Sequence, residues 1–311
     1  MKGEIMIQIT ATVESKEQAK ALLEAGVDTL YAGGSVYGLR LPQSFTLEEL
    51  KELVELTKEY DAKLVVPLNA IMHPEKMSHI LSYMENLVEI GVEEVEVGDV
   101  GVIHLIRKNA LPLKFIYNAQ MIVTNARQIN FWARKGAVKA VLGREVPYLE
   151  MKSLVKASMI PVEVLVYGAT CIHQSLRPLV RNYENFIGVQ GDTSKEANLF
   201  LAEPRKGGTH YSIYEDEHGT HIFADNDLNL MLKLKELYEI GVYDWKLDGI
   251  YTPGMDFVRI ARCFVEAKEA LENGQWEEAQ VQQWNETIEK LHPAQRGLDE
   301  GFYNYDPDEV K

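Results

Sequence analysis

The 311-residue chain is poor in cysteine, and it has no long apolar run. Its two cysteines, Cys171 and Cys263, are too few for a disulfide framework and suit a reducing compartment. No segment approaches the about 18 consecutive apolar residues of a membrane span. The first residues also lack the apolar stretch of a signal peptide. These absences predict a soluble, cytoplasmic protein without a membrane partner.

Positive charge is also scarce, with 32 Lys and Arg residues against 47 Asp and Glu residues and a formal net charge of −15. A protein that binds nucleic acid by itself normally presents a basic face, because neutralising phosphates supplies much of its affinity. This chain would therefore need a local basic patch or a basic partner to bind RNA.

Several common catalytic motifs are missing as well. The sequence contains no HExxH, no GxSxG and no P-loop, and no GxGxxG follows its first apolar run. These absences weigh against a zinc peptidase of that type, an α/β-hydrolase, a P-loop nucleotidase and a dinucleotide-binding domain.

The chain does contain a regular alternation of short apolar runs and helical segments. Ser15 with Gln18, and Thr46 with Glu49, form capping-box patterns that predict the starts of the first two helices. Strands that alternate with helices imply a parallel sheet, and eight such units most simply close into a TIM-like (β/α)8 barrel. An open, doubly wound sheet is the alternative. The eight runs are 6–9, 29–31, 64–66, 95–97, 115–117, 138–142, 162–166 and 245–247.

One connection is abnormally long. About 60 residues separate the seventh run, near Tyr167, from a helix expected to begin near Asp227, whereas most such loops are far shorter. In a barrel this loop opens on the C-terminal face, where active sites are built. We therefore expect residues 1–167 to form the first seven strands, 168–226 an insertion on that face, 227–275 the closing part and 276–311 a C-terminal extension.

The insertion holds the most reactive side chains. Cys171 and His173 are candidates for a nucleophile–base pair, and a buried structural thiol is an alternative of at least equal weight. The turn around His218 and His221, with His210, suggests a metal site by its composition. An acidic turn leading into a strand explains the same residues, and we predict no metal. Cys263 lies on an apolar helical stripe and is expected in the core.

Basic and polar residues predict a binding pocket on the same face. Arg177, Arg181 and Arg205 suit phosphate or carboxylate binding, with solvated loop charge as the alternative. Aromatic residues interleaved with them suit stacking on bases or a small local core. Polar residues near the C-terminal ends of the third to sixth strands predict a polar ligand pocket. They are Asn69, Asp99, Gln120, Asn125, Arg144 and Glu145.

These residues resemble the peptidase U32 family over nearly the whole chain. The family's Glu, hydrophobic stretch, Gly-Ala and Cys pattern is matched by Glu163, Gly168-Ala169 and Cys171. The acidic turn 215–220 followed by Phe223 also matches. Shorter matches occur at 31–34, 68–69, 98–101, 120 with 124–125, 144–145, 227–228, 296–297 and 301–302.

The resemblance implies one of two activities. Some family members are called collagenase-like proteases, and others are subunits of oxygen-independent hydroxylation systems for tRNA wobble uridine, ribosomal RNA cytidine or ubiquinone precursors. The hydroxylating members carry a four-cysteine iron–sulfur cluster, and prephenate is implicated as the hydroxyl source for the RNA enzymes.

This chain departs from the family pattern at the cysteines that hold the iron–sulfur cluster. Cys171 is the one of the four cysteines that is present, while Pro178 and Asn229 stand at two other positions. The family's Cys-Ala-Gln-Pro-Cys-Arg run is Leu201–Lys206 here, and Ile250 replaces an arginine. One thiolate cannot hold a cluster that needs four ligands, so we predict no iron–sulfur cluster in this chain.

The leading hypothesis is a barrel subunit of a system that makes 5-hydroxyuridine at the tRNA wobble position. The size and the lost cysteines resemble the shorter member of a Gram-positive pair, with a longer, cluster-bearing homologue as partner. This chain would bind tRNA or a prephenate-like carboxylate through its arginines. The predicted catalytic set is Cys171, His173, Glu215, Asp216 and His218. A U32 peptidase and a non-catalytic scaffold are the alternatives.

Overall fold

The computed structural model describes residues 6–118 and 122–308. Eight parallel strands close into a barrel, because the last of them pairs with both the first and the seventh. This closure confirms the TIM-like (β/α)8 fold and excludes the open sheet. The barrel strands are β1 (Gln8–Thr12), β2 (Thr29–Tyr31), β3 (Lys63–Leu68), β4 (Glu94–Val97), β5 (Lys114–Tyr117), β6 (Ala137–Val141), β7 (Val162–Gly168) and β13 (Asp244–Leu247).

Helices cover the outside of the barrel. Thr46 and Glu49 form a complete capping box, and the Ser15 hydroxyl accepts a hydrogen bond from the Gln18 amide, so both expected helix starts are confirmed. The helices are α1 (Lys16–Glu24), α2 (Leu47–Glu59), α3 (Pro74–Glu89), α4 (Val100–Lys108), α5 (Ala126–Ala133), α6 (Tyr148–Ala157), α8 (Leu234–Ile240) and α9 (Gly254–Glu272).

Strand alternation separates an apolar outer layer from a polar barrel interior. In β4, Val95 and Val97 belong to the main hydrophobic core shared with the helices. Glu96, between them, is 1% exposed and hydrogen-bonds to Tyr31 inside the barrel. Cys263 lies on α9 within the hydrophobic core, as expected. No helix in the described ranges is both long and apolar enough to cross a membrane.

An antiparallel sheet follows the seventh barrel strand, which confirms a long insertion at that point. The elements of the insertion are β8 (Cys171–Ser175), α7 (Leu179–Ile187), β9 (Phe200–Leu201), β10 (Tyr211–Asp216) and β11 (Gly219–Phe223). The strands lie in the order β8, β11, β10 and β9 in the sheet. The helix α7, which has no buried residue, connects β8 to the rest of the insertion.

The expectation of a helix that begins near Asp227 is wrong. Residues there form β12 (Asn226–Asn229), which pairs antiparallel with β7 and parallel with β14 (Gly297–Asp299). The helix α8 begins only at Leu234, after a 3₁₀ turn. Tertiary pairing explains the difference, because the Arg296 guanidinium binds both Asp227 carboxylate oxygens and holds this segment extended.

The C-terminal extension is attached to the barrel at two places. Its helix α10 (Glu278–Leu291) packs on α9, and β14 adds a strand beside β12. The division of the chain at residues 168, 227 and 276 stays an interpretation of the sequence.

Candidate functional site

An ionic network fills the barrel below its C-terminal mouth. The Glu96 carboxylate lies at its centre, almost fully buried. Burial raises the pKa of Glu96, but the Lys246 ammonium and the surrounding donors outweigh that effect and hold this pKa below its ordinary value. The donors are the Tyr31 hydroxyl at 2.6 Å, Asn118 at 2.7 Å, Asn69 at 3.0 Å and Lys246 at 3.1 Å.

A second set of charges lies beside the first. The Lys139 ammonium is 2.5 Å from the Asp244 carboxylate and 3.3 Å from that of Glu163. Burial lowers the pKa of Lys139, but the two carboxylates outweigh it and raise the pKa well above its ordinary value. Glu163 is also 3.9 Å from Lys246, so the two sets are connected. Paired charges therefore form a fixed floor for the barrel mouth.

A small cationic cavity opens above this floor. It has about 40 Å³ of free volume, enough for a few water molecules or a carboxylate-sized group. Arg40, Arg144 and Lys246 line it together with Asn118 and Cys171. Three cations around a small polar space favour an anionic ligand.

Contacts with the insertion hold the two arginines at the mouth. Arg144 donates to the Ala169 carbonyl at 2.5 Å and lies 3.8 Å from the Asp248 carboxylate. Arg40 donates to the Gln174 side-chain oxygen at 2.9 Å. The insertion therefore closes over the barrel through the residues that flank Cys171.

Cys171, His221 and Asp216 form a connected set at the edge of the cavity. Pairing of β8 with β11 puts Cys171 opposite Phe223 and Gln174 opposite His221, two positions along β11. The His221 Nε2 atom is 2.9 Å from an Asp216 carboxylate oxygen, and the centre of the His221 ring is 4.9 Å from that of the Tyr214 ring. His221 is fully buried, and its Nδ1 atom has no well-aligned hydrogen-bond partner among the described residues.

The surroundings of Cys171 favour its thiolate. Burial raises the pKa of the Cys171 thiol, but the neighbouring His221 imidazole and the Arg40 and Arg144 guanidinium groups outweigh it and lower that pKa. Burial likewise lowers the pKa of His221, while Asp216 and Cys171 outweigh it and raise that pKa. A thiolate paired with an imidazolium is the arrangement that activates cysteine nucleophiles.

The imidazole beside the thiol is therefore that of His221, and the expected pairing of Cys171 with the His173 side chain stays a prediction. The thiol contacts the His173 backbone carbonyl at 3.3 Å, and the His173 side chain is exposed. Asp216, from the predicted catalytic set, orients the His221 ring instead of facing the cavity by itself. Sequence reasoning missed this base because it lies 50 positions from the thiol and only strand pairing joins them.

Glu215 and His218 attach the insertion instead of contacting the thiol. Glu215 accepts hydrogen bonds from the amides of Val180 and Arg181, the unpaired donors at the start of α7. His218 contacts the Ser35 carbonyl at 2.6 Å and the Lys76 ammonium at 2.9 Å, on the rim of the barrel. A catalytic role for either residue stays a prediction.

The structure brings together only some of the polar residues that are predicted to form a ligand pocket at the strand ends. Asn69 lies in the Glu96 network and Arg144 in the cavity. Asp99 and Asn125 are the N-caps of α4 and α5, with their side-chain oxygens bound to backbone amides. Their predicted ligand role, and that of the partly buried Glu145, stays untested. Gln120 lies outside the described residues.

The predicted anion-binding arginines of the insertion do not converge. Arg181 is held by Glu184 at 2.9 Å and by the Gly191 carbonyl. Arg177 and Arg205 are exposed on separate segments. The cations at the cavity are Arg40, Arg144 and Lys246, and sequence reasoning missed the first and the last. Arg40 is at an irregular loop position with φ +53°, where no pattern indicates direction.

The donor set does not fit the iron–sulfur cluster that the resemblance implies. Pro178 is the N-cap of α7, and the Asn229 amide is hydrogen-bonded to Asn285. Of the two thiols, Cys263 belongs to the α9 core. Between residues 6 and 308, outside 119–121, no three His, Cys, Asp or Glu side chains are grouped to hold a metal ion.

The sequence matches Peptidase family U32 over residues 14–311. The chain belongs to this family. The U32 chain is 32% identical over 306 residues to tRNA hydroxylation protein P2 of Bacillus subtilis, with 97% of each chain covered. It is 27% identical to tRNA hydroxylation protein P1 of the same organism, covering 78% of this chain but only 58% of that longer protein.

More distant relatives of the U32 chain carry different descriptions. A protein named collagenase in Porphyromonas gingivalis is 22% identical, with 95% of this chain and 73% of that protein covered. Among solved structures, the U32 peptidase Mk0906 shares the fold with a TM-score of 0.51 and 12% identity. That match covers 80% of this chain and 94% of Mk0906.

Proposed function

We propose that this U32 chain is the cluster-free subunit of a system that hydroxylates uridine at the tRNA wobble position. The observation that carries the proposal is the 32% identity to P2 across nearly the full length of both chains. The cationic mouth supports it, because it provides a site for an anion. We place its action in the cytoplasm, where tRNA is modified.

Within this function, the barrel mouth binds a small carboxylate co-substrate of the prephenate type. Arg40 and Arg144 would hold the carboxylate, since guanidinium groups match its two oxygens. The Ala169 carbonyl would keep Arg144 in place, and the Gln174 side chain would keep Arg40 in place. Arg177 and Arg205, exposed on the insertion, are the proposed tRNA contacts.

A longer, cluster-bearing homologue would supply the oxidation chemistry. Bacillus subtilis has both a P2-like and a longer P1-like relative of this chain, which supports a pair. The helix α7 offers a surface for the partner, because its apolar side chains face outward: Leu179 (38% exposed), Tyr183 (62%), Phe186 (88%) and Ile187 (47%).

The partner surface is tested by co-purification of the two tagged proteins. Phe186→Asp should abolish recovery of the homologue, because it places a charge in the centre of the apolar face. Val100→Asp, at an exposed apolar residue on α4 (61% exposed), is the control and should recover it fully. Equal recovery with both variants would reject α7 as the interface.

The function itself is tested by mass spectrometry of tRNA nucleosides from a strain deleted for this gene and grown without oxygen. Loss of 5-hydroxyuridine derivatives, restored by the wild-type gene, is the expected result. When the deletion strain receives the gene with Arg205→Glu, its tRNA should contain less 5-hydroxyuridine, because the reversed charge repels the tRNA backbone. Arg259→Glu, at an exposed residue of the barrel helix α9, is its control. An unchanged profile in the deletion strain would contradict the proposed function.

The Cys171–His221–Asp216 set also favours a second function, that of a cysteine peptidase, because it provides a nucleophile, a base and an orienting group. Digestion of casein or gelatin, abolished by Cys171→Ala, is the result expected for this function. Digestion that survives the substitution would assign the cleavage to another nucleophile or a contaminant.

A further inference from the structure

The surroundings of Cys171 go beyond what a structural thiol needs. The His221 imidazole beside it is fully buried, is oriented by Asp216, and leaves its second nitrogen without an aligned partner. A buried polar atom without an aligned partner is costly, and it calls for an explanation such as a role in a reaction. This nitrogen is therefore a second feature of the site, besides the thiol, that points to a reacting group.

The cavity next to the thiol selects by charge and size. Cys171 shares it with Arg40, Arg144 and Lys246, and its free volume of about 40 Å³ accepts a small group. Each guanidinium group can present two N–H donors to the two oxygens of a carboxylate, so Arg40 and Arg144 are the cations that match such a ligand. A ligand that reaches the sulfur would place its negative group against these guanidinium groups.

We propose that Cys171 is a nucleophile toward small carboxylates that carry an adjacent carbonyl carbon. Arg40 and Arg144 would bind the carboxylate, and His221 would exchange the proton. Asp216 acts as a positioning residue through its hydrogen bond to His221.

The proposed step is a reversible addition. The Cys171 sulfur forms a bond to the carbonyl carbon, and the π electron pair of the C=O bond moves to its oxygen. That oxygen takes the proton that His221 received from the thiol, which gives a hemithioacetal or hemithioketal. No oxidant is needed, and nothing leaves, so the adduct equals the protein plus the carbonyl compound.

The first test compares two alkylating probes of similar size, iodoacetate and iodoacetamide, by mass spectrometry of cysteine peptides. Cys171 should react with iodoacetate about 10-fold faster than with iodoacetamide, because the cationic cavity concentrates the anion. Cys263 is an internal control, since burial raises its pKa to about 11 and no such cavity adjoins it. Equal rates at Cys171, or faster labelling of Cys263, would overturn the proposal.

Variants separate the three parts of the proposal. Arg144→Gln should abolish the preference for iodoacetate while iodoacetamide still reacts. Asp216→Asn should slow both probes at Cys171 about 10-fold, because His221 is no longer held as an imidazolium. His210→Gln, a histidine of the same insertion outside this set, should leave both rates unchanged. Circular dichroism of each variant confirms folding, and wild-type labelling rates in folded Asp216→Asn would contradict the positioning role.

The carbonyl requirement is tested with glyoxylate, a small carboxylate with an adjacent carbonyl, and acetate, which lacks one. Glyoxylate should protect Cys171 from iodoacetate at concentrations where acetate does not. Equal protection by both would limit the site to anion binding and reject the covalent step. These measurements need no tRNA, so their failure would leave the proposed function standing, and the reverse also holds.

Discussion

Replacing Lys246 with methionine tests whether the buried charges of the barrel hold the mouth in place. The Lys246 ammonium is 3.1 Å from Glu96 and 3.9 Å from Glu163, and it lies 3.5 Å from the centre of the Tyr31 ring. Both carboxylates are almost fully buried. Methionine fills a similar volume but leaves them without this cation.

The expected cost is about 3–5 kcal/mol of unfolding free energy, the range for removing one partner of a buried ion pair. This cost should become smaller as the pH is lowered. In the wild type, the lowered pKa of Glu96 gives a stabilisation that is complete above its ordinary value and lost as pH falls through the folded value. In Lys246→Met, the ammonium no longer offsets the effect of burial on the Glu96 pKa, so Glu96 takes up a proton more readily. The unfolding free energy of the variant therefore decreases as pH rises and Glu96 becomes charged. The deficit should therefore be smaller near about pH 5 than near about pH 8.

Urea denaturation followed by circular dichroism measures this cost. Lys16→Met removes an exposed pair with Glu52 and is the matched control, and its loss should be far smaller because water screens an exposed pair. The double variant Lys246→Met with Glu96→Gln should recover part of the stability, because the unpaired charge is gone. A loss in Lys246→Met no greater than in Lys16→Met, or one independent of pH, would refute the reasoning.

Two further predictions concern the attachment of the insertion and of the C-terminal segment. Arg296→Ala leaves the buried Asp227 carboxylate without its bidentate partner and should cost about 3–5 kcal/mol in urea denaturation, against less than about 1 kcal/mol for the exposed Arg259→Ala. A loss in Arg296→Ala as small as in that control would be inconsistent with the clamp. Glu215→Ala removes the acceptor for the first amides of α7 and should speed hydrogen exchange there by about 5-fold, with barrel strands unchanged. Unaltered protection of α7 would show that another group caps it.

The barrel could be predicted from sequence because its signal is local. Each apolar run and each capping pattern lies within one element, and the eight runs correspond to the eight barrel strands. The strand at Asp227 could not be predicted, since Arg296, which holds it extended, lies 69 positions away. Asp99 and Asn125 were placed correctly near strand ends, but each begins a helix, and a capping pattern in the sequence explains that role.

For the candidate site, the residue types could be predicted from the sequence, but their contacts could not. Cys171, Asp216 and Arg144 were identified by residue type and by position after a strand. The proximity of His221 to the thiol could not be predicted, because adjacency in sequence does not decide which side chains meet across paired strands. His221 and Arg40 come from different segments, and only the closed barrel with its insertion brings them to one cavity.

The most direct test of the account is whether the barrel mouth carries the tRNA hydroxylation role. The deletion strain, grown without oxygen, is supplied with the wild-type gene, Arg144→Gln or the control Arg259→Gln at equal protein levels. The account predicts full 5-hydroxyuridine with the wild type and the control, and at least about a 10-fold loss with Arg144→Gln, since one lost charge-assisted contact is worth about 1.5–3 kcal/mol. Wild-type modification by folded Arg144→Gln would contradict it.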